Sequence, residues 1–371
     1  MKTGKKPNKE STLSLSMKPA KGVLKNNSII VSDTKDVGRL YTKSKFGKTT
    51  SDNTLTLSFI EAAYLLDERK IRVFKNQKEV TFEQLVNLAA IQDPSFETKF
   101  IIFQNLRNRG QQITLCNKES DFTFFFHRIN QEKKEKKCYV LAYSERNIPQ
   151  LTHLKRLINQ AKKNHSETWI AIADEEGDVT YYHITDIHLQ GETITKKYPE
   201  ANGMLLQDRV LVFNEKIAKL LHNNEFFGKP FGNGLQLSLV EAIYLANQKM
   251  LHITDPETKK ILTEKKMLNL FSTHQPDISL RIALFYDLKQ KGMIVKTGFK
   301  FGTHFRAYTK SPHKSHAEYL IHGVTDSFTT SWAEISRAVR LAHSVNKTFA
   351  FAIYTSNRKK ITYISLSRLR P

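Results

Sequence analysis

Cysteine is nearly absent: Cys116 and Cys138 are the two in 371 residues. They cannot build a disulfide framework, and their spacing matches no zinc-ligand pattern. Both are expected to pack as small apolar side chains in a reducing cytoplasm. Long hydrophobic runs are missing too, so no stretch can cross a bilayer, and no basic amphipathic segment offers a membrane anchor. The opening residues, MKTGKKPNKESTLSLSMKPAK, lack the apolar segment of a signal peptide and read as a disordered basic arm over 1–20. Acidic residues are scarce relative to basic ones, 36 against 58, which leaves a net charge of +22. Such a chain attracts polyanions over a Debye length of about 8–10 Å. Nucleic acid is its expected partner.

What is present fits two folded domains. The length exceeds one ordinary core, and a hydrophobic fraction of 40% is compatible with folding. The chain also repeats itself. LTLSFIEAAYLL begins at Leu55 and LQLSLVEAIYLA at Leu235, so Ser58, Glu61, Ala62, Tyr64 and Leu65 recur 180 positions later as Ser238, Glu241, Ala242, Tyr244 and Leu245. The same offset, to within two residues, links Phe46-Gly47-Lys48 with Phe227-Gly228-Lys229 and Tyr139-Val140-Leu141 with Tyr319-Leu320-Ile321. It also links Thr168-Trp169 with Thr348-Phe349 and Thr180-Tyr181 with Thr362-Tyr363. A register held this far marks a tandem duplication. The expected division is a first repeat over 21–190, a linker over 191–202, and a second repeat split into subdomains at 203–297 and 298–371.

Each repeat reads as α+β, a small N-terminal α/β subdomain followed by a strand-richer C-terminal one. Ser58 with Glu61 and Ser238 with Glu241 form capping boxes, each side chain satisfying a first-turn N–H. In the second repeat strands are expected over Gly203–Phe213, Gly298–Tyr308, Tyr319–Val324, Thr348–Tyr354 and Ile361–Leu369. Helices are expected over Ser238–Asn247, Ser279–Gln290 and Trp332–Val345. Leu280, Ala283, Leu284 and Leu288 share one face of the middle helix, which Gly292 ends. Ile335, Ala338, Val339 and Ala342 line the inner face of the last, capped by Ser331 and Glu334, with Arg337, Arg340 and Ser344 outside.

The halves part at their polar positions. Where the second repeat has Tyr308, His316 and Lys347, the first has Arg128 or His127, Lys136 or Glu135, and Glu167 or Ser166. The apolar frame is kept and these side chains are not, so the halves have different tasks. In order, FKFGTHFRAY, SHAEYLIHGV and VRLAHSVNKTFAFAI resemble the archaeal tRNA-splicing endonuclease (tRNA-intron lyase). The resemblance spans nearly the whole chain, LSLVEAIYL included. It implies a two-repeat, homodimeric enzyme with a mixed-sheet, nuclease-like C-terminal subdomain and a catalytic tyrosine, histidine and lysine. The Tyr of FRAY is Tyr308, the His of SHAEYL is His316 and the Lys of AHSVNKTFAFA is Lys347. His304, His313, His322 and His343 stand off the motif position and read as packing or surface residues.

Those side chains suit metal-independent RNA cleavage. The nucleophile is the substrate's own ribose 2′-OH, and the products are a 2′,3′-cyclic phosphate and a 5′-OH end. Tyr308 is either the general base or the group that orients the hydroxyl. A phenol of ordinary pKa, about 10, is a poor base near neutrality, and a strongly cationic site favours its phenolate. His316 suits the general acid for the leaving 5′-oxygen. Lys347 places positive charge by the phosphoryl oxygens. No metal or cofactor is called for.

The resemblance further implies an arginine pair from different subunits that clamps an unstacked bulge base. Arg340, seven residues before Lys347, matches one and Arg368 the other, with Arg370 the alternative to Arg368. ADEEGDVTYY carries Asp174, Glu175, Glu176 and Asp178 where the second repeat has the basic YTSNRKKITY. Its implied role is to dock into a polar groove of a catalytic unit across a homodimer. The implied target is the bulge–helix–bulge at exon–intron junctions of precursor tRNA. Two rival readings stand beside this one. A non-catalytic RNA-binding or structural subunit is what the first repeat alone would resemble. A metal-dependent DNA nuclease needs a carboxylate cluster, which the segments around Tyr308, His316 and Lys347 lack.

Overall fold

The computed structural model describes residues 18–117, 119–129, 135–358 and 360–371. Most of the basic arm lies outside them, and Ala20 already opens a strand. Among the described residues no helix is long and apolar enough to cross a membrane. The chain forms two compact units, Met1–His127 and Arg128–Pro371.

The first unit runs β1 (Ala20–Lys25), β2 (Ser28–Val31), α1 (Thr34–Val37), a π-helical turn (Gly38–Lys43), β3 (Lys48–Thr49), β4 (Leu55–Leu57) and α2 (Phe59–Asp67). It continues with β5 (Ile71–Lys75), β6 (Lys78–Val80), α3 (Phe82–Gln92), α4 (Phe96–Asn108), β7 (Thr114–Leu115) and the start of β8 (Phe124–Ile129). Six of these strands make one sheet in the order β3-β4-β2-β1-β5-β6.

The second unit opens with β9 (Glu135–Ser144), α5 (Leu151–Lys163), β10 (Glu167–Ala173) and β11 (Val179–Asp186), the C-terminal half of the first repeat. The second repeat follows whole. Its N-terminal part is β12 (Ala201–Leu206), β13 (Arg209–Val212), α6 (Glu215–Glu225), β14 (Lys229–Phe231), β15 (Gly234–Ser238), α7 (Leu239–Asn247), β16 (Leu251–Thr254) and α8 (Glu264–His274). Its C-terminal part is α9 (Ile278–Gln290), β17 (Ile294–Thr297), β18 (Phe305–Tyr308), β19 (Tyr319–Thr325), α10 (Trp332–Ser344), β20 (Thr348–Thr355) and β21 (Lys360–Leu369).

The short strands expected over Gly203–Phe213 form a hairpin, β12 and β13, that turns through Gln207 at φ 34°. One expected strand differs in detail. Gly298–Tyr308 is interrupted by a 3-10 turn over Phe299–Phe301, closed by Gly302 at φ 64°. The linker gives way to β12 at Ala201. Its first residues are tied down: Gly191 N–H donates to Lys291 O, Thr193 N–H to Gly292 O and Glu192 N–H to Thr309 O.

The larger sheet of this unit runs β17-β18-β19-β20-β21-β11-β10-β9. Each repeat contributes a parallel strand pair joined by a helix, β9–α5–β10 and β19–α10–β20. The repeats meet edge to edge where β11 pairs antiparallel with β21. That pairing explains why the compact units do not follow the repeats. The segments leading into the two crossover helices also touch, with Gln150 bridged to Thr329 and the rings of Tyr143 and Trp332 5.3 Å apart. Along α10 the buried stripe is Trp332, Ile335, Val339 and Ala342, leaving Arg337, Arg340 and Ser344 exposed. One buried cluster runs from Leu237, Ile243 and Phe271 to Leu284, Phe305 and Ile321, so both parts of the second repeat share a core.

The two recurring motifs form a single device. Glu241 accepts hydrogen bonds from Ser238 N–H (3.0 Å), the Ser238 hydroxyl (2.8 Å) and Gly228 N–H (2.9 Å). Glu61 does the same with Ser58 and Gly47. Gly228 has φ 57°, and a Cβ there would collide with the Gln236 carbonyl, so the Phe-Gly-Lys turn requires glycine. Glu241 is 7% exposed. Glu241→Ala strands these donors and is expected to lower stability by about 3 kcal/mol. A fall in the urea midpoint checks it, and an unchanged midpoint would remove the carboxylate from the account.

His304 and His322 are a packing pair, stacked at 4.5 Å. His304 Nδ1 accepts from Gly323 N–H at 2.8 Å, and its Nε2 faces Asp277 at 3.1 Å. Burial, then His322 and Arg281, push the His304 imidazole down to about 4. Burial and Arg281 also lower His322. Folded values below the ordinary 6.5 mean that their contribution is complete above that pH and is lost as pH falls through the folded values. The stability gap between wild type and His304→Asn should therefore narrow from pH 7 to pH 4.5, read as urea midpoints. A constant gap would contradict the buried neutral pair.

Candidate active site

Three neighbouring strand ends assemble the site. β18 runs antiparallel to β19, with Ala307 opposite Tyr319. β19 and β20 start side by side, with Tyr319 opposite Thr348. Tyr308 at the end of β18, Lys347 just ahead of β20 and the segment entering β19 therefore share one end of the sheet. Backbone bonds from Glu318 N–H to Ala307 O (3.2 Å) and from Thr348 N–H to Glu318 O (2.8 Å) fix that end.

Ala317 is the common neighbour. Tyr308, 7% exposed, packs with Ala317 and Ile294. The Lys347 ammonium donates to the Ala317 carbonyl at 3.0 Å. His316, the residue before Ala317, is exposed in the loop between β18 and β19. Glu318 closes that loop at its base, accepting from Thr309 N–H (3.0 Å) and the Thr309 hydroxyl (2.7 Å). Ordered loop ends restrict where an exposed ring can reach. The Arg306 guanidinium lies 5.9 Å from the Tyr308 ring centre, and Lys296 faces Arg306 across the strand pair, which makes the surroundings cationic.

A cavity of about 250 Å³ adjoins Lys347, and Arg368 lines it together with His343, Asn346 and Phe349. Arg368 is held in β21 opposite Tyr182 of β11. Arg340, on the outer face of α10, and Arg370, beyond β21, stand outside that lining. Sequence reasoning did not single out Glu318, Asn346 or His343 for this site. Asn346 carried the one available signal, a residue tolerant of left-handed backbone (φ 53°) just past a helix. His313, by contrast, packs on Phe226 at 5.4 Å.

The matching place in the first repeat has other chemistry. The register of Thr168 against Tyr139 repeats that of Thr348 against Tyr319, which puts Glu167 where the second repeat has Lys347. Arg128 and Lys136 each come within 3.9 Å of Glu167, and Trp169 Nε1 donates to it at 3.2 Å. Burial and then Glu167 push the nearby Cys138 thiol up to about 12, so it is no nucleophile. Among the described residues no group of three or more His, Cys, Asp and Glu stands together as a metal cradle.

The acidic turn divides its labour. The Asp174 carboxylate accepts from Glu176 N–H (3.1 Å) and Asp178 N–H (2.8 Å), shaping the turn around Gly177 at φ 84°. Glu175 pairs with Arg146 at 3.1 Å. Glu175, Glu176 and Asp178 are exposed.

Comparison with known proteins agrees with this duplicated plan. Residues 20–86 and 201–268 match the tRNA intron endonuclease N-terminal domain, and 96–181 and 278–363 match the catalytic C-terminal domain. A protein named tRNA-splicing endonuclease from Methanococcoides burtonii is 35% identical over 347 residues, covering 92% of this chain and 97% of its own. Its namesake from Methanosarcina acetivorans is 32% identical over 340 residues, covering 90% and 95%. Another, from Halobacterium salinarum, is 29% identical over 357 residues, covering 90% and 95%. With both domains present twice and these relatives aligned over nearly its full length, the chain belongs to the tRNA intron endonuclease family.

Proposed function

We propose that the chain is an endoribonuclease that excises introns from precursor tRNA in the cytoplasm, cutting bulge–helix–bulge junctions by attack of the 2′-OH. The observation that carries this reading is the meeting of Tyr308 and Lys347 on Ala317, next to His316. Tyr308 takes the proton of the 2′-OH or orients it, with the Arg306 guanidinium 5.9 Å from its ring centre. His316 protonates the leaving 5′-oxygen. Lys347, anchored on a carbonyl, holds its charge where the phosphoryl oxygens gain theirs. Arg368 beside Lys347 and Arg340 on α10 are the base-clamping arginines of this reading.

Incubation with an intron-containing precursor tRNA in excess EDTA tests it. Cleavage leaving cyclic phosphate ends is expected. Loss of cleavage on chelation points to a metal nuclease, and binding without cleavage at any metal level points to a structural subunit. His316→Ala should lower the single-turnover rate by about 10²–10⁴-fold with RNA affinity nearly intact. A large affinity loss with preserved turnover would refute its role.

We propose in addition that two chains associate through the acidic turn. A cleft of about 510 Å³ between the parts of the second repeat is lined by Arg209, Lys229, Arg281, Lys296 and Arg306, against Asp208 and Glu241. Glu241 is already committed to Gly228 and Ser238. Lys296 is half-buried, donates to Gly228 O at 2.9 Å and has its pKa lowered by desolvation. Carboxylates of a second chain complement such a lining. Reversing Glu175, Glu176 and Asp178 to lysine, with Asp174 kept to shape the turn, should give monomers. A dimer mass for that variant in light scattering would contradict the docking.

A further inference from the structure

Phe226 holds a backbone shape that suits its side chain poorly. It closes α6 at φ 62° and ψ 25°, left-handed backbone in which its N–H donates to the His222 carbonyl at 3.1 Å. Glycine or asparagine is the usual residue there, and a bulky side chain is strained. Its ring reaches the C-terminal part of the repeat. There it packs against the cluster of Ile294, Tyr308 and Ala317, and its centre lies 5.4 Å from that of the His313 ring.

These contacts fall on either side of His316, on His313 before it and on Ala317 directly after it. The loop's own bonds, Lys314 N–H to Ser311 O at 2.8 Å and Ser315 N–H to Ser311 O at 3.1 Å, form a turn just ahead of His316. Such bonds shape the turn without fixing where it stands over the sheet end. A ring set against the loop from outside does fix it.

The first repeat shows that the fold does not require this ring. Lys45 stands at the matching place, exposed, with φ 57° and its N–H on the Tyr41 carbonyl at 2.9 Å, ahead of the same Phe-Gly-Lys turn. The strained position therefore carries an aromatic ring in the repeat that has Tyr308, His316 and Lys347, and a lysine in the other. We infer that Phe226 is a positioning residue, whose ring holds the β18–β19 loop so that His316 meets the leaving 5′-oxygen. The inference rests on the endonuclease reading and adds to it a residue from the N-terminal part of the repeat that acts through His316.

The test compares wild type with Phe226→Gly, Phe226→Lys and Phe226→Tyr in single turnovers at saturating precursor tRNA. Glycine relieves the backbone, lysine copies Lys45, and tyrosine keeps the ring. Two substrates are cut, the natural RNA and one with sulfur in place of the leaving 5′-oxygen. Sulfur departs as a thiolate and needs no general acid. On natural RNA, Phe226→Gly and Phe226→Lys should be about 10–10²-fold slower than wild type, with Kd within about twofold and Phe226→Tyr near the wild-type rate. On the sulfur substrate their loss should shrink below about twofold, as should that of His316→Ala. An equal loss on both substrates would make Phe226 merely structural and overturn the inference. Wild-type rates for Phe226→Gly on natural RNA would overturn it too, and either result leaves the endonuclease reading intact. If His316→Ala stays slow on the sulfur substrate, the acid role of His316 and the inference fall together. No cleavage of natural RNA by wild type would remove the endonuclease reading itself.

Discussion

Six residue pairs join β11 to β21, from Tyr181 opposite Leu369 to Asp186 opposite Ile364. Both strands would otherwise offer a bare edge of N–H and C=O groups, a standing template for pairing with other chains. Joined, they bury Tyr181, Tyr182, Ile184, Ile364 and Leu366. Arg368 sits within this ladder opposite Tyr182, so the last strand of the first repeat backs one wall of the cavity beside Lys347. The half that lacks counterparts of Tyr308, His316 and Lys347 thus helps to wall the cavity beside Lys347.

The same strand start supports opposite charges in the two repeats. Lys347 faces a carbonyl and an open cavity, whereas Glu167 is surrounded by Arg128, Lys136 and the indole of Trp169. Placing a carboxylate where the other copy has an ammonium draws in cations. Two of them gather on Glu167, whereas the Lys347 ammonium rests on a carbonyl. Divergence of the two halves therefore reaches the neighbours of one position, not that position alone.

Local features were legible in the sequence, and contacts across long stretches of chain were not. The capping boxes at Ser58 and Ser238, the inner stripe of α10 and the places of Tyr308 and Lys347 at strand ends follow from short-range pattern. The interruption at Phe299–Phe301 escaped because a bent strand and a straight one share composition. Ala317 escaped because its part is played by a carbonyl and a methyl group, which no motif marks. The merging of two repeat halves into one compact unit depends on edge pairing between residues far apart in sequence. Of the four acidic residues expected at the docking turn, Asp174 is spent on the turn's own N–H groups, a use invisible until the backbone is closed.

The connection between the repeats has a further consequence. Gly191 and Gly292 approach backbone to backbone, so closely that a side chain on Gly191 would meet the Gly292 carbonyl. The next residue, Glu192, bonds to Thr309, which Glu318 in turn ties to the base of the loop carrying His316. Surface connections ordinarily tolerate added residues at little cost. This one is held in register: a residue gained or lost near 191 would be felt at the loop carrying His316, so its length is as constrained as that of a strand.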